Sequence, residues 1–324
     1  MQRQYKLWLL VICCFCGGAW AEGQPPLAQT VKVTTLSTML ANDGLGEWGY
    51  AALVEVDGKR ILFDTGARPD VVLQNAKELG VDLSTVEDVV ISHFHGDHTG
   101  GLLTLRRAMS ATNPKALSRL HVGAGVTQPR FNLQRQQRNS FIDVASAFRA
   151  TGGQITEHAG PVQILPGVWF SGPVERKYDE SNWNPGLLVQ RDGKYVADNV
   201  AEDSSLFIPT KEGTIIVTGC GHAGIMNIAD AAKQVTKSAS LLAVIGGIHL
   251  YGKPDPVLVR TAAHLKGLRY LVGGHCTGIE ALFRLRELLG LSRNTAVVET
   301  VGSSFSLSSG ITAGDIAGWV GPDS

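Results

Sequence analysis

The sequence predicts an α/β fold with helices packed outside β-sheets, and three observations carry that prediction. Both halves of the chain mix strand and helix patterns, and the connections between segments are short. Four apolar strands end on Gly-flanked polar residues: "VVISHFHGDH", "IIVTGCGH", "AVIGGIH" and "LVGGHC". Mixed order with short connections favours one compact domain, residues 31–324, over two separable ones. Strand ends of this kind gather chemistry in open α/β architectures, because the scaffold beneath is rigid and the loops above are free.

The N-terminus reads as a cleavable export signal, residues 1–21. Arg3 and Lys6 precede the apolar "LWLLVICCFC" (7–16), which is too short to span a bilayer. Ala19 and Ala21 then supply an A-x-A site, with cleavage after Ala21. The expectation is a secreted or periplasmic protein with no stable membrane anchor after cleavage. Three of the five cysteines leave with the signal, so only Cys220 and Cys276 remain, each beside a histidine. That excludes a disulfide-stapled scaffold and leaves open metal ligation, a redox role, burial or one bridge between the two.

A linker (22–30) containing "QPP" leads into the strand "TVKVTTLS". "YAALVEVDGKRILFDTG" is a hairpin turning at Asp57–Gly58, "VVLQNAKELGV" an amphipathic helix and "VEDVVIS" a buried strand. Residues 102–150 read as helix or loop, apart from a short strand at "RLHVGA". Strands return in "GQITEHA", "VQILPGVWFSG", "GLLVQRDGKYVA" and "SLFIPTKEGTIIVTGCGH". Helices "NIADAAKQVTK", "DPVLVRTAAHLKGL" and "IEALFRLRELLGL" then alternate with strands "SLLAVIGGIHL", "RYLVGGHCTG" and a closing "NTAVVETVG". Positive and negative side chains balance at 29 each, which gives no electrostatic case for nucleic acid or an anionic membrane surface. The expected partner is a small-molecule substrate.

The densest motif is "SHFHGDHTGG", three of the chain's nine histidines and an aspartate in one strand-to-helix turn. In extended backbone His93 and His95 point to the same side and can reach one metal ion. As the chain turns into a helix, Asp97 and His98 project together toward a second. Imidazole and carboxylate donors suit Zn²⁺ first, with Mn or Fe as alternatives. Gly96 permits the turn, and Thr99 is placed to cap the following helix. Further ligands would come from the other strand ends, His222 and His275 first and His249 next. Cys220, Glu202 and Asp203 are anionic candidates for a bridge between ions. Asp64, in "ILFDTG", suits a carboxylate that organises the loop rather than a ligand. His121 could face substrate, and Arg176, Tyr178 and Trp183 could form an anion-binding edge.

"ILFDTG" followed by "SHFHGDHTGGL" resembles the metallo-β-lactamase-fold superfamily, and the later motifs narrow the likeness. "VWFSGPVER", "AEDSSLFI", "TGCGHAGIMNI", "VIGGIHL" and "GGHCTG" are similar to the subgroup named for dihydropterin–ribofuranosylaminobenzene phosphate synthase. The resemblance spans most of residues 31–305. It implies a four-layer αβ/βα sandwich with a metal site at one edge between the sheets. It carries metal ligation onto His93, His95, Asp97 and His98, and sets His222 and His275 in motifs near the site. The chain departs from the pattern with "CGH" where the subgroup tends to show C-S-H, and with Glu202–Asp203 in reversed order. The third histidine usual in the superfamily has no match before Cys220.

The expected function is a secreted hydrolase that uses a metal-bound hydroxide, held by one or two divalent ions and oriented by Asp97, on an ester, lactone, phosphodiester or lactam. The alternatives are an oxidoreductase or dioxygenase-like enzyme of the same fold, or a metal-binding protein without catalysis. An export signal does not fit the subgroup's name-giving step in coenzyme synthesis, so the expectation concerns the chemistry rather than that activity.

Overall fold

A computed structural model describes residues 25–180 and 186–312. The segment expected to be an export signal, residues 1–21, lies outside the described residues. The first half runs β1 (Val31–Ser37), β2 (Ala51–Val56), β3 (Lys59–Phe63), α1 (Val71–Glu78), β4 (Asp88–Ile91), the single turn α2 (Gly96–Thr99), α3 (Leu102–Ser110), β5 (Arg119–Gly123), β6 (Arg130–Phe131), α4 (Phe141–Ala150) and β7 (Gln154–His158). The second runs β8 (Val162–Leu165), β9 (Val168–Phe170), β10 (Leu188–Arg191), β11 (Lys194–Ala197), β12 (Ser205–Thr210), β13 (Gly213–Thr218), α5 (Ile225–Thr236), β14 (Leu241–Gly246), α6 (Asp255–His264), β15 (Tyr270–Gly273), α7 (Ile279–Leu288), β16 (Ala296–Val298), β17 (Ser304–Ser306) and β18 (Gly310–Thr312).

Two large sheets pack face to face. One is ordered β18-β17-β1-β2-β3-β4-β5-β7 and the other β16-β15-β14-β13-β12-β9-β8. Between them lie Val33, Val54, Phe63, Phe170, Ile215, Ile245 and Phe305. The outer face of the first sheet is covered by apolar residues of α1, α3 and α4, among them Val72, Leu105 and Phe148. That of the second is covered by α5, α6 and α7 through Ile228, Leu258 and Leu282. The result is a four-layer αβ/βα sandwich. Burial on both faces explains why strands such as "LLAVIG" and "GTIIVT" read as continuous apolar runs rather than alternating ones.

Four details differ from the sequence reading. The strand at Ala296–Val298 does not close the fold. The chain crosses back, and β17 pairs antiparallel with β1 in the first sheet. Arg130–Phe131, inside the stretch read as helix or loop, joins β10 and β11 in a small third sheet. Thr99 does not cap α3; its hydroxyl donates to the His95 carbonyl within the preceding turn. Within the linker, Ala28 is buried and donates its N–H to Pro209 O, so this stretch lies along β12.

The strands that matter for chemistry run in parallel sets, β3-β4-β5 in one sheet and β13-β14-β15 in the other. Their carboxyl ends meet at one edge of the sandwich. Gly219, just past β13, lies so close to β4's end that a Cβ there would come within 2.3 Å of Ser92 Oγ and 2.5 Å of Asp64 Oδ2.

Candidate metal centre

Asp64 follows β3, Ser92 through His98 follow β4, Cys220 and His222 follow β13, His249 follows β14, and His275–Cys276 follow β15. Asp64, His249 and His275 all have positive φ, at 58°, 50° and 48°. Non-glycine residues are uncommon there, and such backbone strain concentrates at functional positions.

Hydrogen bonds fix the rings. Asp64 accepts the Ser92 N–H at 2.7 Å, the Ser92 hydroxyl at 2.8 Å and His98 Nδ1 at 2.7 Å. The Ser92 hydroxyl has one proton and gives it to Asp64, so at the 2.9 Å contact His93 Nδ1 is the donor. His93 Nε2 is then a lone pair, and it faces His95 Nδ1 at 3.0 Å. His222 completes this side, its ring 4.7 Å from that of His93 and 4.9 Å from that of His95. On the other side His98 Nε2 lies 3.3 Å from Cys220 Sγ and 3.7 Å from Asp97 Oδ2. His275 Nε2 is 3.3 Å from the same Asp97 oxygen. Donor atoms within 4.8 Å of one another form the sets His93–His95–Asp97, His93–Cys220–His222, Asp97–His98–Cys220–His275 and Cys220–His249–Cys276. Cys220 belongs to three of them. Cys220 and Cys276 are buried free thiols.

The electrostatics follow from burial and crowding. Burial, with the neighbouring imidazoles, holds His93 well below the usual histidine range. Burial likewise brings His95 down to about 4 against the opposing Asp97 carboxylate. Both rings are therefore neutral, with lone pairs to give. For His98 burial acts downward too, but the Asp97 and Asp64 carboxylates outweigh it and push the ring up to about 9. Burial works to raise Asp97, yet His98, His275 and His95 hold it well below the usual carboxylate range.

The comparisons with known proteins agree with this architecture. Residues 49–126, which carry the histidine motif, match the metallo-β-lactamase superfamily. A curated protein of Methanocaldococcus jannaschii, 7,8-dihydropterin-6-methyl-4-(β-D-ribofuranosyl)-aminobenzene-5′-phosphate synthase, is 31% identical over 78% of this chain and 89% of its own length. The chain belongs to the metallo-β-lactamase superfamily. An uncharacterized protein of the same archaeon is 29% identical over 74% of the chain and 88% of its own length. Among solved structures, a metal-dependent hydrolase of the β-lactamase superfamily superposes with a TM-score of 0.67 at 26% identity, over 85% of this chain and 98% of the other.

This superfamily's fold implies divalent metal binding, and the donors here fit such ions. The neutral imidazoles of His93 and His95, further histidines, one ionised carboxylate and a thiol converge in a buried space, and the sets together offer the N, O and S donors that Zn²⁺ and neighbouring metals take. Histidine orientation by Ser92 and Asp64 is the support that metal-ligating rings ordinarily have. His275 Nδ1 and His249 Nδ1 are buried with no hydrogen-bond partner among the described residues.

The remaining candidate residues do different things. Asp203 accepts the Ala223 N–H at 2.9 Å and so holds the turn that carries His222, while burial lifts its own carboxyl to about 6. Glu202 pairs with the buried Arg130, and burial lifts it to about 7. Arg176 donates to the carbonyls of His222, Asn199 and Val200, which makes it a brace for the loop rather than an exposed anion site. His121 bonds Asp88 and His158, neither of which belongs to the cluster, so it does not face the centre. Tyr178 donates to Asp230 and packs on His264 at the surface. Trp183 lies outside the described residues.

Two contributors, Trp48 and Arg130, escaped the sequence reading, and a third, Cys276, was left there open between metal ligation, a redox role, burial and a bridge to Cys220. Trp48 stands beside His275, with ring centroids 4.9 Å apart. Cys276 shares a donor set with His249. Arg130 lies over the Phe94 ring at 4.7 Å, bracing the residue between His93 and His95. Of the two that escaped, only Trp48 had a local signal, a large aromatic among glycines in "GLGEWGY".

Proposed function

We propose that this chain is an exported metal-dependent hydrolase acting on an ester, lactone, phosphodiester or lactam-type small molecule. The observation that carries the proposal is the pair of neutral ring nitrogens, His93 Nε2 and His95 Nδ1, 3.0 Å apart beside the Asp97–His98–Cys220–His275 set. A divalent ion, Zn first and Mn or Fe next, would lower the pKa of a water toward about 7 and polarise the bond to be cleaved. His93, His95 and His222 would hold one ion; Asp97, His98 and His275 would hold another, with Cys220 between the two sets. Asp97 stays a carboxylate at working pH, so it accepts a hydrogen bond from the attacking water and orients it. The superfamily membership and the hydrolase structure that superposes on this chain support the reading.

Metal analysis of the mature protein tests it, with about one to two equivalents of Zn, Mn or Fe expected for such donor sets. His98→Ala should abolish turnover and leave the circular dichroism unchanged. Full activity in that variant, or a protein that cannot be loaded with metal, rules the mechanism out. Export rests on residues 1–21 and calls for N-terminal sequencing of the periplasmic product, which should begin at Glu22.

The Cys220–His249–Cys276 set favours one second reading, an iron-dependent oxidoreductase. Iron as the native metal, with oxygen consumed against a thiol substrate, would select it. The M. jannaschii relative is named a synthase, so products should also be analysed with an acceptor other than water present.

A further inference from the structure

We propose that Trp48 and Tyr251 form an aromatic subsite at the mouth of the metal centre, which takes a planar aromatic group of the substrate next to the bond that is cleaved. This rests on the hydrolase reading and deepens it by naming a substrate class.

Single exposed apolar side chains are ordinary, but these two are not scattered. Trp48 is 48% exposed and Tyr251 71% exposed, and their rings meet edge to face at 6.3 Å and 74°. The Trp48 ring also leans at 48° on His275, which is fully buried within the Asp97–His98–Cys220–His275 set. A substrate whose reacting group sits among those donors has its adjacent substituent over the indole.

Both rings are held by backbone that cannot easily move. The Glu47 carboxylate accepts the Ser37 hydroxyl at 2.8 Å and the N–H groups of Ala67 and Arg68 at 3.0 and 2.9 Å. On either side of Trp48 the chain passes too close to its neighbours for any side chain. A Cβ at Gly46 would come within 2.5 Å of Met39 O, and one at Gly49 within 2.5 Å of Ala67 N. The Tyr50 N–H then bonds the carbonyl of Asp97 itself. Tyr251 is tied in the same way, its N–H donating to Cys276 O at 3.0 Å. So one aromatic is anchored to the turn carrying Asp97 and the other to the turn carrying His275 and Cys276. Groups held in place before binding lose little entropy on binding, and the quadrupoles of indole and phenol favour offset or edge-to-face contact with another flat ring.

The test uses the metal-loaded full mature chain and non-hydrolysable anions, so it needs no turnover. Binding of phenylphosphonate, cyclohexylphosphonate and methylphosphonate is measured by calorimetry. Wild type should prefer phenyl over methyl by about tenfold, the size of one good aromatic contact. Trp48→Ala should bring that ratio close to unity, Tyr251→Ala should reduce it partly, and Trp48→Phe should keep most of it. A ratio near unity in wild type, or an unchanged ratio in Trp48→Ala, overturns the subsite. Cyclohexyl binding as tightly as phenyl overturns the aromatic class. Failure of all three anions to bind overturns the hydrolase reading together with the subsite.

Discussion

Asp64 shows how much of the centre depends on a residue that contributes no ligand atom to any donor set. Its two oxygens take three hydrogen bonds, from the Ser92 N–H, the Ser92 hydroxyl and His98 Nδ1. Together these fix the tautomers of His93 and His98. Asparagine keeps the shape but replaces one acceptor oxygen with an NH₂ donor. Asp64→Asn should therefore weaken metal binding about 10- to 100-fold, measured by competition with a chromophoric chelator. Unchanged affinity would mean that the rings are held by packing alone. Glu299 allows a pH prediction with a definite sign. It is fully buried, accepts the Thr35 and Tyr50 hydroxyls, and burial pushes it up to about 8. Because the folded value lies above the unfolded one, stability from this group is complete below about 4.5 and is lost as pH rises through about 8. Thermal unfolding from pH 5 to 9 should show Glu299→Gln gaining on wild type until about pH 8 and then levelling off. A constant difference across that range would show that Glu299 does not titrate this way. The histidine run was legible in the sequence because its residues are neighbours in the chain. Asp64's bond to His98 spans 34 positions and Glu299's bond to Thr35 spans 264, so no local pattern reveals either.

At the scale of elements, the centre exists because two sets of parallel strands end at the same edge. The alternation of apolar runs with helices was enough to place β13, β14 and β15 and their polar ends, since strand and helix periods are local properties. Which sheet the last strands join was not legible. β17 and β18 are three residues each, and the pairing of β17 with β1 and of β18 with β17 is decided by packing across the whole fold. The closeness of the strand ends has a direct consequence at Gly219. A methyl group there would wedge Ser92 from Asp64. Gly219→Ala should cost about 1–3 kcal/mol of stability in urea unfolding, as overpacking does, and should also lower metal affinity. Stability lost without any loss of metal affinity would show that the Ser92–Asp64 contact does not orient the ligands. Arg130 does similar work under the small third sheet, where its buried guanidinium bonds Asp198 at 3.2 Å and Glu202 at 2.5 Å. Arg130→Met strands both carboxyls and should cost roughly 3–5 kcal/mol, with part recovered when Glu202→Gln is added. A double variant no more stable than the single one would point to lost packing on Phe94 instead.

For the whole molecule, the donor sets draw on both halves of the sandwich. His93, His95, Asp97 and His98 belong to the first sheet's edge, and Cys220, His222 and His275 to the second's. An ion held by such a set links two layers that also meet through the apolar interface between the sheets. Metal that binds only the folded form stabilises it by RT ln(1 + [metal]/Kd), about 2.7 kcal/mol at a hundredfold excess over Kd. Removal should therefore lower the melting temperature of the entire unfolding transition rather than loosen one loop. Calorimetry of the metal-loaded protein before and after chelation should show one transition moving down in temperature, and readdition of Zn²⁺ should restore it. Two separated transitions after chelation would mean that the halves unfold independently and that the metal joins them. An unchanged melting temperature would mean that the cluster holds no metal. Apolar side chains fill the space between the two sheets and beneath the helices on both outer faces, and this burial is expected to hold the sandwich without the ion. The apoprotein is accordingly expected to stay folded, with His93 and His95 neutral and still in place to receive the ion.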